Sequence, residues 1–388
     1  MAISPRPSAA DVMATDLEAV RARTRGLVAH LSTADLERQI DPILSPLVWD
    51  LGHIAAYEDL WLVHRHGGHD LLHGELAALY DAFETPRAVR GDLAILGHAD
   101  ALRYLDDVRA RTLAVMDARG VDPVLHEMVL RHELQHTETM LQAMEVAGLL
   151  PPHVAGPAAG PGVAGPEWLE IPAGPLPMGA AAGVFAYDNE RPVRHVEVPA
   201  FRIARRPVTS ASWLTFTEGG GYVRREWWSD EGWAWKEDQD INGDHVRADG
   251  PSGTPVCHVS WFEAEAFARS VGARLPTEAE WEKAASLARR PAPSSPIDPL
   301  EGVGQVWEWT SSEFSAYPGF RAHPYREYSE VFFDRGYRVL RGGSWAADPR
   351  VATTTFRNWD LPQRSQIFSG VRLAADAVPT PSPPPSRS

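Results

Sequence analysis

The chain is poor in cysteine and has no long hydrophobic run. Cys257 is the single cysteine among 388 residues, which excludes an intramolecular disulfide framework and any metal site built on two cysteines. No apolar stretch approaches the roughly 20 residues that a membrane-spanning helix needs. Residues 1–8 also lack the apolar core of a signal peptide. We therefore expect a cytoplasmic protein that has no membrane segment and in which Cys257 is a buried thiol.

Positive charge is scarce as well. The chain has 37 Lys and Arg against 52 Asp and Glu, a formal net charge of -15. Such a balance makes nucleic acid and anionic membranes poor partners. Its 44% apolar content over 388 residues is enough for two domains, each with its own core. Composition leaves the oligomeric state open.

The first part of the chain is predicted to be a helical domain over residues 10–149. Twelve of the 14 tryptophans come after residue 160, so the two halves should differ in architecture. Apolar residues at helical spacing predict four helices, and their connections favour an antiparallel bundle. The predicted helices cover Ala10–Leu31, Leu47–His66, Ala99–Arg119 and a segment from Pro123 to Gly148. Ser45-Pro46 and Asp122-Pro123 are typical of a cap followed by a first-turn proline.

The second part is predicted to be an α+β domain over residues 167–375. A Pro-, Gly- and Ala-rich linker should precede it at residues 150–166, and a disordered tail should follow it at residues 376–388. Turn signals and β-branched residues predict short strands, and a capping box at residues 277–280 predicts a helix start. The predicted elements are strands at 168–172, 195–198, 201–203 and 337–340 and helices at Trp261–Val271 and Thr277–Ala288.

A pair of histidines gives the first indication of chemistry. His132 and His136 lie four residues apart in the last predicted helix of the bundle, so both imidazoles share one face. Two neutral imidazoles so placed can bind one transition metal. His53, on the second predicted helix, is the best candidate for a third ligand. The pair alone is weak evidence for a metal site, and the third histidine strengthens that evidence.

Long motifs in the second half resemble a known fold. Residues 272–282 (Gly-Ala-Arg-Leu-Pro-Thr-Glu-Ala-Glu-Trp-Glu), 306–310 (Val-Trp-Glu-Trp-Thr) and 338–345 (Arg-Val-Leu-Arg-Gly-Gly-Ser-Trp) resemble the formylglycine-generating-enzyme fold, a C-type-lectin-like domain. The first half resembles a DinB-like four-helix bundle. Together, over residues 10–375, they resemble the ergothioneine-biosynthesis sulfoxide synthases, whose near neighbour is selenoneine synthase.

This resemblance implies an activity and a metal. Enzymes of that family hold Fe(2+) with three histidines, which match His53, His132 and His136 here. They use O₂ to join a thiol to carbon 2 of the imidazole of hercynine, and in the actinobacterial type the thiol is γ-glutamylcysteine and the product a sulfoxide. Small molecules are therefore the expected partners. A selenosugar donor, as in selenoneine synthase, remains the alternative.

The resemblance also implies roles for other residues, position by position. Tyr325 matches a tyrosine that delivers a proton or hydrogen during oxygen activation, and Tyr328 matches one that lines the hercynine pocket. Residues matching the rest of the hercynine site are Gln135, Asn358 and Trp359. Those matching the clamp on the amino-acid part of γ-glutamylcysteine are Arg87, Asp360 and Arg364. Spacing alone does not decide whether Arg87 or its neighbour Arg90 points inward.

The chain departs from the family pattern at one place. The stretch between Lys283 and Val306 is short, and Gly302-Val-Gly-Gln305 stands where longer Gly- and Asn-containing segments are expected. This puts a structural calcium of that loop in doubt. It should not affect the iron ligands.

Other residues have less specific interpretations, and two other functions are alternatives. Glu138 is expected to support the metal site or form a salt bridge rather than ligate. A histidine cluster (His64, His66, His69, His73) should be a solvated surface, and a tryptophan cluster (Trp227, Trp228, Trp233, Trp235) should be packing. A formylglycine-generating oxidase would need two cysteines, which this chain lacks. A non-catalytic lectin-like binding module would bind no metal tightly.

Overall fold

The computed structural model describes residues 7–161, 165–288 and 300–378. Parts of the predicted linker and of the short 283–306 stretch, and the tail after residue 378, lie outside this range. The chain divides into two units. The first comprises Met1–Gly156 together with Ala346–Val351, and the second comprises Pro157–Trp345 and Ala352–Ser388.

The first unit is helical, as the sequence predicts. Its helices are α1 (Ala9–Val28), α2 (Thr33–Glu37), α3 (Leu47–Glu58), α4 (His98–Arg119) and α5 (Pro123–Val146). The second predicted helix is confirmed in position but changes character, because α3 passes into a π-helix over Asp59–His66. The short α2 was not predicted.

The two predicted helix starts have different outcomes. Asp122 caps α5, since its Oδ1 accepts hydrogen bonds from the amides of Val124 and Leu125 at 2.9 Å each. The prediction for Ser45 is wrong. Pro46 occupies the N-cap position of α3 without a side-chain cap. The Ser45 hydroxyl instead accepts a hydrogen bond from Nη1 of Arg90 at 2.7 Å.

A buried ion-pair network ties the four long helices together. Arg21 of α1 contacts Glu58 of α3 at 2.7 Å and Glu133 of α5 at 2.9 Å. Arg109 of α4 contacts the same carboxylates at 2.8 and 3.2 Å. Burial opposes ionisation of Glu58, but the two guanidinium groups outweigh it and lower its pKa to about 2. Each helix contributes one charge, so the network specifies how the helices meet.

The segment Ala346–Val351 completes the first unit, although the chain on both sides of it belongs to the second. Arg350 donates to Asp16 at 2.6 Å and to Glu127 at 2.8 Å. Asp348 accepts from Arg23 at 3.1 Å. The sequence pattern placed this segment within residues 167–375, whereas these tertiary contacts associate it with the helices.

The second unit is built from short strands and helices. Its strands are β1 (Trp168–Ile171), β2 (Gly174–Met178), β3 (Arg194–Val198), β4 (Phe201–Ala204), β5 (Trp307–Glu313), β6 (Arg338–Arg341), β7 (Asn358–Asp360), β8 (Ser369–Gly370) and β9 (Ala374–Asp376). Its helices are α6 (Ser210–Glu218), α7 (Asp230–Asp238), α8 (Trp261–Ser270) and α9 (Glu278–Ala288).

These strands form three small sheets. Their orders are β1-β4-β9, β2-β3 and β7-β6-β5-β8. All pairs are antiparallel except β5 with β8. One apolar core includes Ile171, Met178, Phe201 and Tyr317. The four predicted strands and two predicted helices are confirmed within a residue or two.

Individual sequence predictions in the second unit are also confirmed. The capping box of α9 forms, with the Glu280 amide donating to the Thr277 hydroxyl at 3.1 Å and the Thr277 amide donating to the Glu280 carboxylate at 2.8 Å. Cys257 is buried. Trp228 is buried, and its indole N–H donates to the Gly221 carbonyl at 2.8 Å, which supports packing rather than a binding platform.

Among the described residues no helix has the length and apolarity to cross a bilayer.

Candidate metal centre and substrate-facing residues

Three histidines of the first unit converge, as the sequence predicts. His53 lies on α3, and His132 and His136 lie one turn apart on α5. One nitrogen of each ring lies within 4.8 Å of the others, and the Nε2 atoms of His53 and His132 are 3.1 Å apart. Two nitrogens bound at right angles to one ion, each at about 2.1 Å, would lie about 3.0 Å apart. The three rings are therefore close enough together that they could hold a single metal ion.

The outer nitrogens of two rings are held by acceptors. His53 Nδ1 contacts the carbonyl oxygen of Tyr80 at 2.6 Å, and His136 Nδ1 contacts a carboxylate oxygen of Asp50 at 2.9 Å. Both acceptors require a proton on Nδ1. The Nε2 lone pairs are then directed to the centre of the cluster, which is the tautomer that a metal needs.

Burial keeps two of the imidazoles, those of His53 and His132, neutral. It lowers the pKa of His53 well below 6.5, aided by the nearby His136. The pKa of His132 is likewise lowered well below 6.5 by burial first and then by His136 and His53. Neutral rings remain available as ligands at ordinary pH.

A glycine makes room for one of these contacts. A Cβ on Gly52 would lie 2.3 Å from the ring of Tyr80. Tyr80 is 2% exposed, and its carbonyl orients His53. Gly52 therefore allows Tyr80 to approach α3 closely enough to hold the neighbouring ligand. A glycine inside a helix is less favourable than alanine by roughly 1 kcal/mol.

Aromatic rings surround the histidines. Tyr57, one turn after His53 on α3, stacks on His132 with ring centroids 3.6 Å apart and planes inclined by 9°. Trp49 stacks on His53 at 4.8 Å and 13°. These contacts restrict rotation of both imidazole rings.

Arg87 and Arg90 are now distinguished. Arg90 is 4% exposed, donates to the Thr85 carbonyl at 3.0 Å, and lies over the Trp49 ring at 3.5 Å. Its guanidinium group is thus occupied by structural contacts. Arg87, in contrast, is exposed.

The remaining predicted residues of the first unit have different environments. Gln135 is half-buried between the two histidines of α5, and Glu138 is buried and is not part of the histidine cluster. Within residues 7–161 the cluster of His64, His66, His69 and His73 forms no second metal group. His64 Nδ1 contacts the His69 carbonyl at 2.7 Å, which fits a surface turn.

In the second unit, two tyrosines and a tryptophan lie together. Tyr325 and Tyr328 are half-buried at a 3-10 turn, with ring centroids 6.2 Å apart and planes at 80°. Tyr328 meets Trp359 of β7 edge-on at 5.7 Å and 84°. Trp359 stacks on Phe314 at 4.2 Å and 5°. The structure therefore groups three of the predicted residues into one aromatic surface.

The predicted clamp residues lie at the same strand. Asn358, Trp359 and Asp360 form β7, and all three are half-buried. Arg364 is 3% exposed, and its Nε lies 3.7 Å from an Asp360 carboxylate oxygen. That distance is longer than a hydrogen bond, so these two atoms form an ion pair without a direct hydrogen bond.

Sequence reasoning missed four residues that shape these two groups. Asp50, Tyr80 and Tyr57 contact the three histidines, and Tyr187 stacks on Tyr328 at 4.2 Å and 9°. Asp50 could have been found, since it precedes His53 by three residues in a predicted helix and therefore shares its face. Nothing in the sequence indicated Tyr80 or Tyr187, because both meet their partners through tertiary contacts.

Two family descriptions match these two parts of the chain. The DinB superfamily matches residues 16–140, and the sulfatase-modifying factor enzyme 1-like domain matches residues 157–292 and 291–377. The first match contains all three histidines, and the second contains the aromatic surface and β7. The fold class expected from the sequence is thereby confirmed.

Three relatives match this chain over different shares of its length. A protein of Mycolicibacterium smegmatis called hercynine oxygenase is 42% identical over 95% of this chain and 99% of that protein. The ergothioneine biosynthesis protein 1 of Schizosaccharomyces pombe is 29% identical over 49% of this chain and 27% of that protein. The formylglycine-generating enzyme of Streptomyces coelicolor is 28% identical over 57% of this chain and 93% of that protein. This chain belongs to the hercynine oxygenase family, and it is an oxidoreductase.

Proposed function

We propose that this enzyme uses O₂ and Fe(2+) to form a bond between carbon 2 of the hercynine imidazole and the sulfur of a thiol, γ-glutamylcysteine, giving a sulfoxide in ergothioneine biosynthesis. The convergence of His53, His132 and His136 carries the proposal, because it is the one group of metal-ligating side chains among the described residues. Similarity to a hercynine oxygenase over nearly the full length of both chains supports the choice of substrate.

Iron fits the three histidines. Their donors are imidazole nitrogens, which bind Fe(2+) well, and two of the three rings are oriented by hydrogen bonds at their outer nitrogen. Held by these three side chains alone, the ion would keep coordination positions free for substrates. When bound, the metal would lower the pKa of the thiol and activate O₂.

Hercynine carries a trimethylammonium group, which cannot donate an ordinary hydrogen bond. It is recognised by aromatic faces and nearby oxygens. Trp359, with its partner Tyr328, and the amide oxygen of Asn358 offer that chemistry at β7. Gln135, between two metal ligands on α5, has an amide that can orient the imidazole ring of the substrate.

The thiol substrate carries an α-carboxylate and an α-amine. A guanidinium group binds the first and a carboxylate binds the second. Asp360 and Arg364 supply one group of each kind, 3.7 Å apart at their nearest charged atoms, and the exposed Arg87 supplies a further guanidinium. A selenosugar has no such amino-acid end, so these residues favour the sulfur donor.

Tyr325 is assigned the proton-donating role. Its phenol is half-buried beside Tyr328, in a segment that also carries the proposed hercynine contact. A phenol O–H can supply a proton or a hydrogen atom. Of the two phenols on this surface, Tyr325 is the one that matches the proton-delivering tyrosine of the family.

The proposal is tested by product analysis. Protein purified without oxygen is loaded with Fe(2+), mixed with hercynine and γ-glutamylcysteine, and exposed to O₂. A product with the mass of the hercynine–γ-glutamylcysteine sulfoxide is expected. Turnover of a selenosugar, with no sulfoxide from any thiol, would contradict the sulfur assignment.

Metal-ligand variants supply the control. His132→Ala and His136→Ala should each lose tight iron binding, whereas His64→Ala, at the exposed surface, should retain it. Unchanged iron binding in both ligand variants would favour a non-catalytic binding module instead.

A further inference from the structure

A buried turn in the second unit holds the segment that carries Tyr325 and Tyr328. Asp188–Glu190 form a single 3-10 turn, and all three side chains are buried at 4, 1 and 1% exposure. Neither the sequence motifs nor the assigned site residues include this turn. It lies far from the tyrosines in sequence, so the contact arises only in the folded chain.

Three kinds of contact join the turn to residues 323–329. The hydroxyl of Ser329 donates to Asp188 Oδ1 and accepts from the side-chain nitrogen Nδ2 of Asn189 at 3.0 Å. The backbone amide of His323 lies 3.4 Å from Asp188 Oδ2. Tyr187, just before the turn, stacks on Tyr328. Both ends of the segment are therefore attached to Asp188.

The other side of the turn holds the chain leading into β7. Glu190 accepts from the hydroxyl of Thr355 at 2.6 Å, and the Asn189 carbonyl accepts from Arg357 Nη1 at 2.9 Å. Tyr187 also meets Phe356 edge-on at 5.7 Å. One turn thus contacts both the tyrosine segment and the start of the strand with Asn358, Trp359 and Asp360.

The chemistry of these contacts indicates more than packing. A buried carboxylate costs several kcal/mol unless it is fully hydrogen-bonded, and an apolar residue would fill the space at lower cost. Residues 323–329 form no strand ladder in the structure, so side-chain contacts must define their position. Asp188 is suited to this task because its two oxygens reach both ends of the segment at once.

We propose that Tyr187, Asp188 and Ser329 are positioning residues that hold Tyr325 and Tyr328 in a fixed position relative to β7. The inference rests on the proposed roles of the two tyrosines. Asp188 and Ser329 are expected to act through the tyrosines and to touch no substrate themselves.

The test measures the segment and the reaction separately. Ser329→Ala removes the hydroxyl between Asp188 and Asn189 and leaves a nearly isosteric side chain. In the iron-loaded protein without substrates, amide hydrogen exchange in residues 321–332 should become faster by about tenfold or more, since a hydrogen bond to a charged group is lost. The fraction of thiol oxidised without forming the C–S product should rise, as it should in Tyr325→Phe.

Conservative and control variants separate positioning from general stability. Asp188→Asn keeps an oxygen acceptor for Ser329 and should lie between wild type and Asp188→Ala in both measurements. Tyr222→Phe removes another buried hydroxyl–carboxylate bond, the 2.7 Å contact with Glu263, at a site with no contact to the tyrosine segment. It should lower stability without changing exchange in residues 321–332 or the product ratio.

The outcomes are distinct. Unchanged exchange in Ser329→Ala and Asp188→Ala would overturn the inference whatever the activity. Faster exchange with an unaltered product ratio would overturn the positioning role. If the wild type forms no C–S product at all, the proposed function fails, and the exchange measurement still decides whether the turn holds the segment.

Discussion

At the residue scale, two hydrogen-bond acceptors outside the histidine cluster contact its rings. Asp50 is 1% exposed and bonds the outer nitrogen of His136, while the Tyr80 carbonyl bonds that of His53. These acceptors fix both the tautomer and the orientation of the ligand rings. The cluster is therefore preorganised before a metal binds, which reduces the cost of binding.

Asp50→Ala should weaken metal binding by about 10- to 100-fold, because His136 loses the acceptor that orients it. Asp50→Asn retains an acceptor oxygen and should lose less. Anaerobic titration with Fe(2+) or Co(2+) measures the effect. Asp59→Ala is the matched control, since Asp59 is also buried but bonds the Leu72 amide at 2.7 Å rather than a ligand. Equal losses in both variants would contradict the orienting role.

Asp188 should introduce a pH dependence into stability. Burial raises its pKa from 3.8 to about 6, although Ser329 and the His323 amide act in the opposite direction. Between these values the folded protein binds the proton more strongly than the unfolded chain, so this group stabilises the fold at low pH. That contribution is lost as the pH rises through about 6, by at most about 3 kcal/mol.

Denaturation of wild type and Asp188→Asn between about pH 4 and about pH 7 measures this effect. The free energy of unfolding of wild type, relative to the variant, should fall as the pH rises. A constant difference would contradict the prediction. Asp11→Asn should show the opposite sign at lower pH, because hydrogen bonds from Ser8 lower the pKa of Asp11 below 3.8.

At the element scale, the periodic helices and four of the short strands were predicted, whereas strands such as β5 were not. The long helices of the first unit have apolar stripes and, in α5, a side-chain cap at Asp122. Strand β5 has the burial pattern of a central strand, with Trp307, Glu308, Trp309 and Thr310 all buried, so no alternation marks it. Glu308 is buried there because Arg372 pairs with it at 2.7 Å, a partner that local sequence does not reveal.

Two helical glycines should respond oppositely to alanine. Gly52→Ala in α3 would place a Cβ 2.3 Å from the Tyr80 ring, whereas a Cβ on Gly26 in α1 meets nothing within 4 Å. Gly26→Ala should stabilise the protein by about 0.5–1 kcal/mol through helix propensity. Gly52→Ala should destabilise it by about 1–3 kcal/mol and weaken metal binding, because Tyr80 must move and its carbonyl orients His53.

Chemical denaturation and metal titration of the two variants check this pair. Retained metal affinity in Gly52→Ala, with Tyr80 displaced, would show that the carbonyl contact to His53 is dispensable. A gain in stability at both glycines would show that α3 and Tyr80 can separate without cost.

At the scale of the whole molecule, chain order and structural unit do not coincide. Residues 346–351 belong with the helices, although they follow β6 in the chain. Arg350 makes the decisive contacts, with Asp16 of α1 and Glu127 of α5. Two helices are thus joined by a side chain more than 200 residues away from either of them.

Arg350→Ala should lower the free energy of unfolding by about 1–2 kcal/mol, since two partly exposed ion pairs are lost together. Denaturant unfolding followed with a probe in the first unit measures it. Arg103→Ala, which removes an exposed pair with Asp100, should change stability by no more than about 0.5 kcal/mol. Similar effects of both substitutions would mean that residues 346–351 add nothing to the helical unit.

The amino-acid sequence by itself determined the fold class, the helical and α+β halves, the histidine triad and, through its motifs, the family. These features are local in the chain or repeat at the spacing of a helix turn, so they can be read without coordinates. The tertiary structure decided that Arg90 makes buried structural contacts and Arg87 is exposed, that Asp50 and Tyr80 contact His136 and His53, and that the turn at Asp188 contacts the tyrosine segment. Each of these depends on side chains or backbone groups that only meet when the chain folds, and no spacing along the sequence encodes such a meeting.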